Sequence, residues 1–304
     1  MTASTAISPA RSPSRPPTTA TRPGFRSAFP WLALPATVWV LATFAIPTAI
    51  LLASSVLTYD GATLTGPLTA ANYAELFGNG YFRSVLWETV WMSGIVGCVC
   101  MTAGLSVAHF LVRSASRLRT LVLLIVISPL VSSVVVRTYG WLVLLQDDGL
   151  VNRALLAAGL IDSPVPLIGS RFAVILGLAH VLLPFAVFTA MSSLQSVDPR
   201  LELASRDLGA GPVTTFYRIT LPLIRPGLIA GFTLTFAISL GAYASAAVLG
   251  GGRVQTLATL VRDRMVVSLE WGQAAAISVV ILAVGAVTVS ALLVIGRRSR
   301  GRRG

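Results

Sequence analysis

Residues 198 to 223 read DPRLELASRDLGAGPVTTFYRITLPL, three Arg and three acids set between two apolar runs of membrane length. The local grammar is that of two short helices. Asp198 followed by Pro199 is a helix start, an acceptor side chain at the N-cap and then a ring whose missing N–H costs nothing in the first turn. Leu201, Ala204, Ser205 and Leu208 recur at helical spacing, with Arg200, Glu202 and Arg206 on other faces. Gly209 suits the left-handed residue that ends a helix. Gly211 and Pro212 open a second short helix with Val213, Phe216, Tyr217 and Thr220 on its apolar side, and Pro222 is expected to limit it. Two amphipathic helices too short to span and too polar to sink predict a rigid surface knob. The competing reading is a solvated connector, which needs neither caps nor an apolar stripe.

The flanks of this stretch set the fold class. The 304-residue chain is 55% hydrophobic and 11% charged, against about 25% charged in a soluble domain, so it belongs to the membrane class. About 20 apolar residues cross a hydrocarbon core of about 30 Å as a helix. Six stretches qualify, approximately 31–57, 85–112, 119–143, 172–194, 223–249 and 273–296, predicting an all-α integral membrane protein with six transmembrane helices and the polar loop between the fourth and fifth. The 113–119 turn, the 195–222 loop and both chain ends are Arg-rich, whereas the opposite side is near neutral, which predicts cytoplasmic termini and a cytoplasmic loop. Pro35, Pro47, Pro129 and Pro184 predict local kinks. Gly94, Gly97, Gly104 and Gly285 predict close helix packing. Residues 1–30, rich in Ser, Pro, Thr and Arg, read as a disordered tail, and residues 297–304 as a basic surface tail that meets membrane lipid. The net charge of +12 therefore reflects topology, and nucleic acid need not be invoked.

Several chemistries are excluded. All 23 basic residues are Arg, so no GxxxxGK[ST] phosphate loop and no Schiff-base lysine can exist in this chain. Cys98 and Cys100 point to roughly opposite helix faces and read as inert thiols. His109 and His180 fit no metal-ligand spacing. No Ser/His/Asp arrangement is present, and Asp147 and Asp148, adjacent in sequence, diverge by about 100° on a helix. The chain is expected to be non-catalytic, with no metal and no cofactor of its own.

The opening stretch also resembles the EAA loop of binding-protein-dependent ABC importer permeases: EAA, three residues, Gly, nine residues, Ile, any residue, Leu, Pro. Ala204 and Ser205 stand at the two Ala positions, Gly209 at the Gly, and Ile219, Leu221 and Pro222 close the pattern. Leu203 occupies the place of the leading Glu, with Glu202 one position early. The resemblance implies that this loop docks on a cytoplasmic ABC ATPase subunit, where ATP and Mg are bound, and relays its closure to the membrane helices. Leu203 puts the usual ionic contact in doubt. VVVRTYGWLVLLQDDGLVNRALLAAGLI, residues 134–161, is similar to the third-span region of polyamine-type permeases, with landmarks at Arg137, Thr138, Tyr139, Trp141, Gly149, Leu150 and Asn152. This implies a spermidine or putrescine importer in the bacterial inner membrane, an extracytoplasmic solute-binding protein, and a pore shared with a second permease subunit, more in keeping with a heterodimer than a homodimer.

Under that reading the candidate translocation path comprises Glu88, Arg137, Tyr139, Asp147, Asp148 and Tyr243. Each has a plainer role as well: Glu88 as an interfacial charge paired with Arg83, Arg137 as an anchor beside Tyr139 and Trp141, the aspartates as loop charges, and Tyr243 as packing. An ion-coupled secondary transporter or channel is the competing function. It calls for midspan carboxylates or paired broken helices, and deep acids are few in this sequence.

Overall fold

The computed structural model describes residues 29–58 and 66–301, and every regular element among them is helical. The expected tail of residues 1–30 falls outside them except for its last two positions, as do residues 59–65 and 302–304. The chain divides into two units, Met1–Thr48 and Ala49–Gly304. The described part of the first is the opening of helix α1 (Phe29–Val56), with Pro35 and Pro47 inside the helix and Leu34, Val38, Trp39 and Phe44 exposed.

In the second unit α1 ends at Val56, and a short helix α2 (Ala71–Gly78) is tied to that end by Asn72, whose Nδ2 donates to the carbonyls of Ser55 and Leu57 at 3.0 and 3.1 Å. Helix α3 (Gly80–Arg113) is the spine. Its 34 residues extend about 51 Å at 1.5 Å per residue, longer than a hydrocarbon core, and it enters three buried clusters in turn. Phe82 and Val85 pack with Leu257, Leu260 and Ile277; Met92, Val96 and Cys100 with Val174, Leu178 and Leu249; Ala108 and Leu111 with Val187, Leu194 and Ile224. At the middle cluster Gly104 lies so close to the next helix that a Cβ would sit 2.9 Å from that of Ala186. Gly97 plays the same part against the ring of Phe232. Gly94 faces open space, so its expected packing role is not found.

The third apolar run departs from expectation. Instead of one helix over 119–143 there are α4 (Leu118–Val131) and α5 (Val134–Leu145), continued by α6 (Leu150–Ala157), with a bend of 108° between residues 118–131 and 134–157. Pro129 cannot donate to Ile125, and the Ser128 hydroxyl takes that carbonyl instead at 2.9 Å. Ser132 then turns extended, and Ser133 caps the new helix by accepting from Val135 N. A hydroxyl-rich turn after a proline thus lets backbone groups be satisfied without a continuous helix.

Helix α7 (Arg171–Gln195) runs unbroken through Pro184. After it come α8 (Pro199–Asp207) and α9 (Pro212–Thr215), a π-helical turn at Phe216–Thr220, and α10 (Leu221–Leu240). Residues 212–240 form one 29-residue helical stretch, so Pro222 does not separate a second short helix from the fifth span. The π turn closes with Leu221 N bonded to Phe216 O. It takes up one extra residue and so already leaves a carbonyl over where Pro222 has no N–H to offer. The helix ends at Leu240, earlier than the expected 249, and is followed by short α11 (Ala244–Leu249), α12 (Leu257–Arg262), a second π turn at Asp263–Val267, and α13 (Trp271–Gly301). The backbone of α13 stays helical through most of the expected 297–304 tail. Among the described residues five helices are long and apolar enough to cross a bilayer, or six if the bent pair counts as one span.

Candidate functional site

The 198–223 stretch builds a braced corner. Asp198 Oδ1 accepts from Arg200 N at 2.9 Å, and Pro199 occupies the first turn of α8. At the other end Gly209 has φ +83°, and Ala210 N bonds back to Ser205 O at 3.1 Å. A residue with a Cβ pays about 1–2 kcal/mol in this left-handed region, which is why glycine stands there. Ser205 and Thr215 are both buried, their hydroxyl oxygens 3.0 Å apart, and this contact joins α8 to α9.

Glu202 acquires a role that its sequence position hid. Its Oε1 accepts from Arg113 Nη2 at 2.9 Å and from Thr220 Oγ1 at 3.0 Å, bonding α8 to the last turn of α3 and to the π turn. Both members of the ion pair are largely enclosed, 19% and 15% exposed. Next to this staple, Phe216 stacks edge-on with His109 and with Tyr217. Glu202, Arg206, His109, Phe216 and Tyr217 line a cavity of about 720 Å³. Exposed on the corner are the apolar Leu201, Leu203 (58% exposed), Leu208 (89%), Val213 and Tyr217, alongside the charged Arg200, Arg206, Asp207 and Arg218. Ala204, Gly209 and Leu221 take part in the frame, and Ile219 and Pro222 lie at the π turn.

A second charged site lies at the opposite end of α3. Glu88 receives a two-pronged contact from Arg171, the first residue of α7: Nη2 to Oε2 at 3.0 Å, and Nε to Oε1. The expected partner Arg83 does not fill this role. Five residues along one helix rotate the two side chains about 140° apart, so the neighbouring helix supplies the cation. Glu88 and Arg171, together with Ser170, Arg253 and Gln255, line a cavity of about 770 Å³.

The remaining path candidates are scattered. Asp147 and Asp148 are exposed in the turn between α5 and α6, with no ion-pair partner among the described residues. That turn is fixed from beneath by buried Asn152, whose amide bonds Gln146 O and both backbone groups of Val165. Tyr139 is exposed on α5. Tyr243 borders a pocket of about 220 Å³ with Gln255, Arg262 and Asp263. Arg137 is half-buried, and its Nε and Nη1 are buried with no hydrogen-bond partner among the described residues. Trp141, one turn further along α5, donates from Nε1 to His180 Nδ1 at 2.9 Å.

Sequence reasoning missed Arg113, Thr215, Thr220, Arg171 and His180. Only Arg113 carried a local signal, a lone charge closing an apolar run. The others are chosen by which helices pack together.

Comparison with known proteins then places the chain. Residues 100–301 match the model of the family described as binding-protein-dependent transport system inner membrane component. The chain is 34% identical over 242 residues to the spermidine/putrescine transport permease PotB of Haemophilus influenzae, covering 79% of this chain and 84% of that protein. It is 32% identical over 263 residues to PotB of Escherichia coli, covering 86% and 94%. Among solved structures it overlays a chain of a bacterial alginate ABC transporter, in complex with its alginate pentasaccharide-bound periplasmic protein, with TM-score 0.73, 20% identity and 88% and 93% coverage.

Proposed function

The chain belongs to the binding-protein-dependent transport inner-membrane family, and from that membership we propose that it is a membrane-spanning subunit of an ATP-driven importer whose cargo is a polyamine such as spermidine or putrescine. It lies in the bacterial inner membrane as a multi-pass protein. The bent α4–α5 pair counts as one of six spans, residues 31–296 form the permease domain, and the Arg-rich 113–119 turn, the 198–222 corner and both termini face the cytoplasm. A separate ATPase subunit, holding ATP and Mg, docks on the corner, a second and different permease completes the pore, and a solute-binding protein delivers cargo from outside.

The observation that carries this reading is the braced corner, which exposes Leu203 and Leu208 among its surface charges. A relay must move as one body, and α8 is fixed to α3 through Arg113 and, through Thr220, to the π turn that leads into α10 by a single carboxylate oxygen. Leu203 stands where the family motif has its Glu, and it is exposed while Glu202 is engaged inside. The ATPase contact is therefore apolar at that position. ATP closure drives transport only because the ATPase binds one bundle conformation better than the other. The cargo assignment rests on the PotB relatives. Glu88, Asp147 and Asp148 are its carboxylates of suitable sign, with Arg137, Tyr139 and Tyr243 as the other path candidates.

Co-purification of the ATPase with this chain tests the assignment. Gly209→Asp removes the bound ATPase, and Leu203→Glu changes ATPase affinity without changing the unfolding temperature of this exposed position. Solute uptake driven by an ion gradient into liposomes holding this chain alone would sink the importer reading and favour a secondary transporter.

A further inference from the structure

The cavity that holds Glu88 and Arg171 has charges at odds with its proposed cargo. Arg171 is the first residue of α7, and no acid stands in that helix's first turn, although the free N–H groups of a helix start favour an anion. Its side chain is 62% exposed, yet it takes up both oxygens of Glu88. A second arginine is held beside it. Gly169, two residues ahead of Arg171 and at φ +76°, lies so close to Arg253 that a Cβ would sit 3.1 Å from its Cδ. The loops carrying these residues are tied together where Gly169 N donates to Leu249 O at 2.8 Å. Arg253 is exposed and has no ion-pair partner among the described residues. Glu88, Arg171 and Arg253 are the charged residues of the cavity lining, which leaves an excess of one positive charge.

The length of α3 says which side of the membrane this cavity meets. Glu88 precedes Arg113 by 25 residues on the same helix, about 38 Å along its axis. With the Arg113 end at the cytoplasmic surface, as proposed above, Glu88 stands beyond a hydrocarbon core about 30 Å thick, on the outer face. The wall formed by Gly252, Val254 and Gln255 is shared with the pocket of Tyr243, so the cavity adjoins a path candidate. A cation arriving here finds its one carboxylate masked by Arg171 and a bare guanidinium at Arg253, and like charge turns it away. A carboxylate arriving here finds Arg253 unpaired, Arg171 exposed and the start of α7 behind them, all of matching sign.

We propose that Arg171 and Arg253 seat a carboxylate of the extracytoplasmic solute-binding protein, and that its arrival draws Arg171 off Glu88, which then receives the cation being delivered. The docked carboxylate brings the cavity to neutrality, so the incoming cation no longer meets an excess of like charge. The exchange costs little because the Arg171 side chain is mostly in solvent, where an ion pair is weak. Arg171 is thus a movable mask on Glu88, and the cavity admits cargo only with its carrier. This rests on the importer reading and adds to it the groups that meet the binding protein and the charge gate they work.

The test uses the complete transporter in nanodiscs of zwitterionic lipid, its solute-binding protein, and spermidine as the cation. Arg253→Gln weakens binding of the solute-binding protein by about fivefold, as the loss of a partly exposed ion pair does, and makes that binding less sensitive to salt. Arg171→Gln weakens it as well but has a second effect of opposite sign. Without the binding protein, spermidine binds this variant about fivefold tighter than it binds the wild type, and the gain disappears in the Arg171→Gln, Glu88→Gln double variant. A mere brace between α3 and α7 gives no such gain. Unchanged unfolding temperatures establish that the variants fold. Undiminished affinity for the binding protein in both arginine variants, or no gain in spermidine binding with Arg171→Gln, overturns the inference and leaves the importer reading standing. So does a loss of affinity that appears only when anionic lipid is added to the discs, since that marks a seat for a lipid phosphate. If no solute-binding protein engages the wild type, the importer reading itself fails.

Discussion

Glu202 of α8 pairs with Arg113 at the end of α3, and Glu88 near the start of α3 pairs with Arg171 of α7, yet the two pairs have different work. Glu202 uses one oxygen for Arg113 and Thr220 together and is 15% exposed. Glu88 spends both oxygens on Arg171, whose side chain is 62% exposed at the edge of a cavity. Solvent screening makes an open pair easy to exchange, whereas an enclosed, multiply bonded carboxylate is costly to disturb. A carboxylate on this bundle is thus a brace when two elements converge on one of its oxygens. It is available to a ligand when its only partner can swing into water.

Changing these residues one at a time breaks or sharpens the contrast. The largest effect belongs to Glu202→Ala, which strands a largely buried guanidinium and the Thr220 hydroxyl. It costs about 3 kcal/mol, read as a lower unfolding temperature, and uncouples ATP hydrolysis from uptake. Ser205→Ala comes next, at about 1 kcal/mol, because it leaves the buried Thr215 hydroxyl without its Ser205 partner while α8 keeps its backbone caps. Glu88→Gln stands last on stability, with no measurable shift in unfolding temperature, but in uptake assays it raises the KM for a cationic cargo. A strong loss of stability in Glu88→Gln combined with an unaltered KM would reverse the roles assigned to the two ends.

The corner was legible because its signals are local. Asp198, Pro199 and Gly209 act within a few residues of where they stand, and each does in the structure what its chemistry predicts. The second half was misread at Pro222, since a π turn is not announced by composition and it removes the conflict that proline was expected to create. The broken third run shows the same limit. Pro129, Ser128, Ser132 and Ser133 were all visible, but whether hydroxyls bend a helix slightly or end it depends on what packs around the freed carbonyls.

What the sequence by itself determined is the membrane class, the apolar runs and the capped entry to the corner. Transfer of a segment into hydrocarbon and the capping of a helix end are sums over neighbouring residues. The tertiary structure alone decided the partners of the charges: Arg113 with Glu202 across 89 residues, Arg171 with Glu88 across 83, and none for Arg137 among the described residues. An ion pair forms between whichever helices the packing of Gly97, Gly104 and the three buried clusters brings side by side, and no spacing along the chain carries that information.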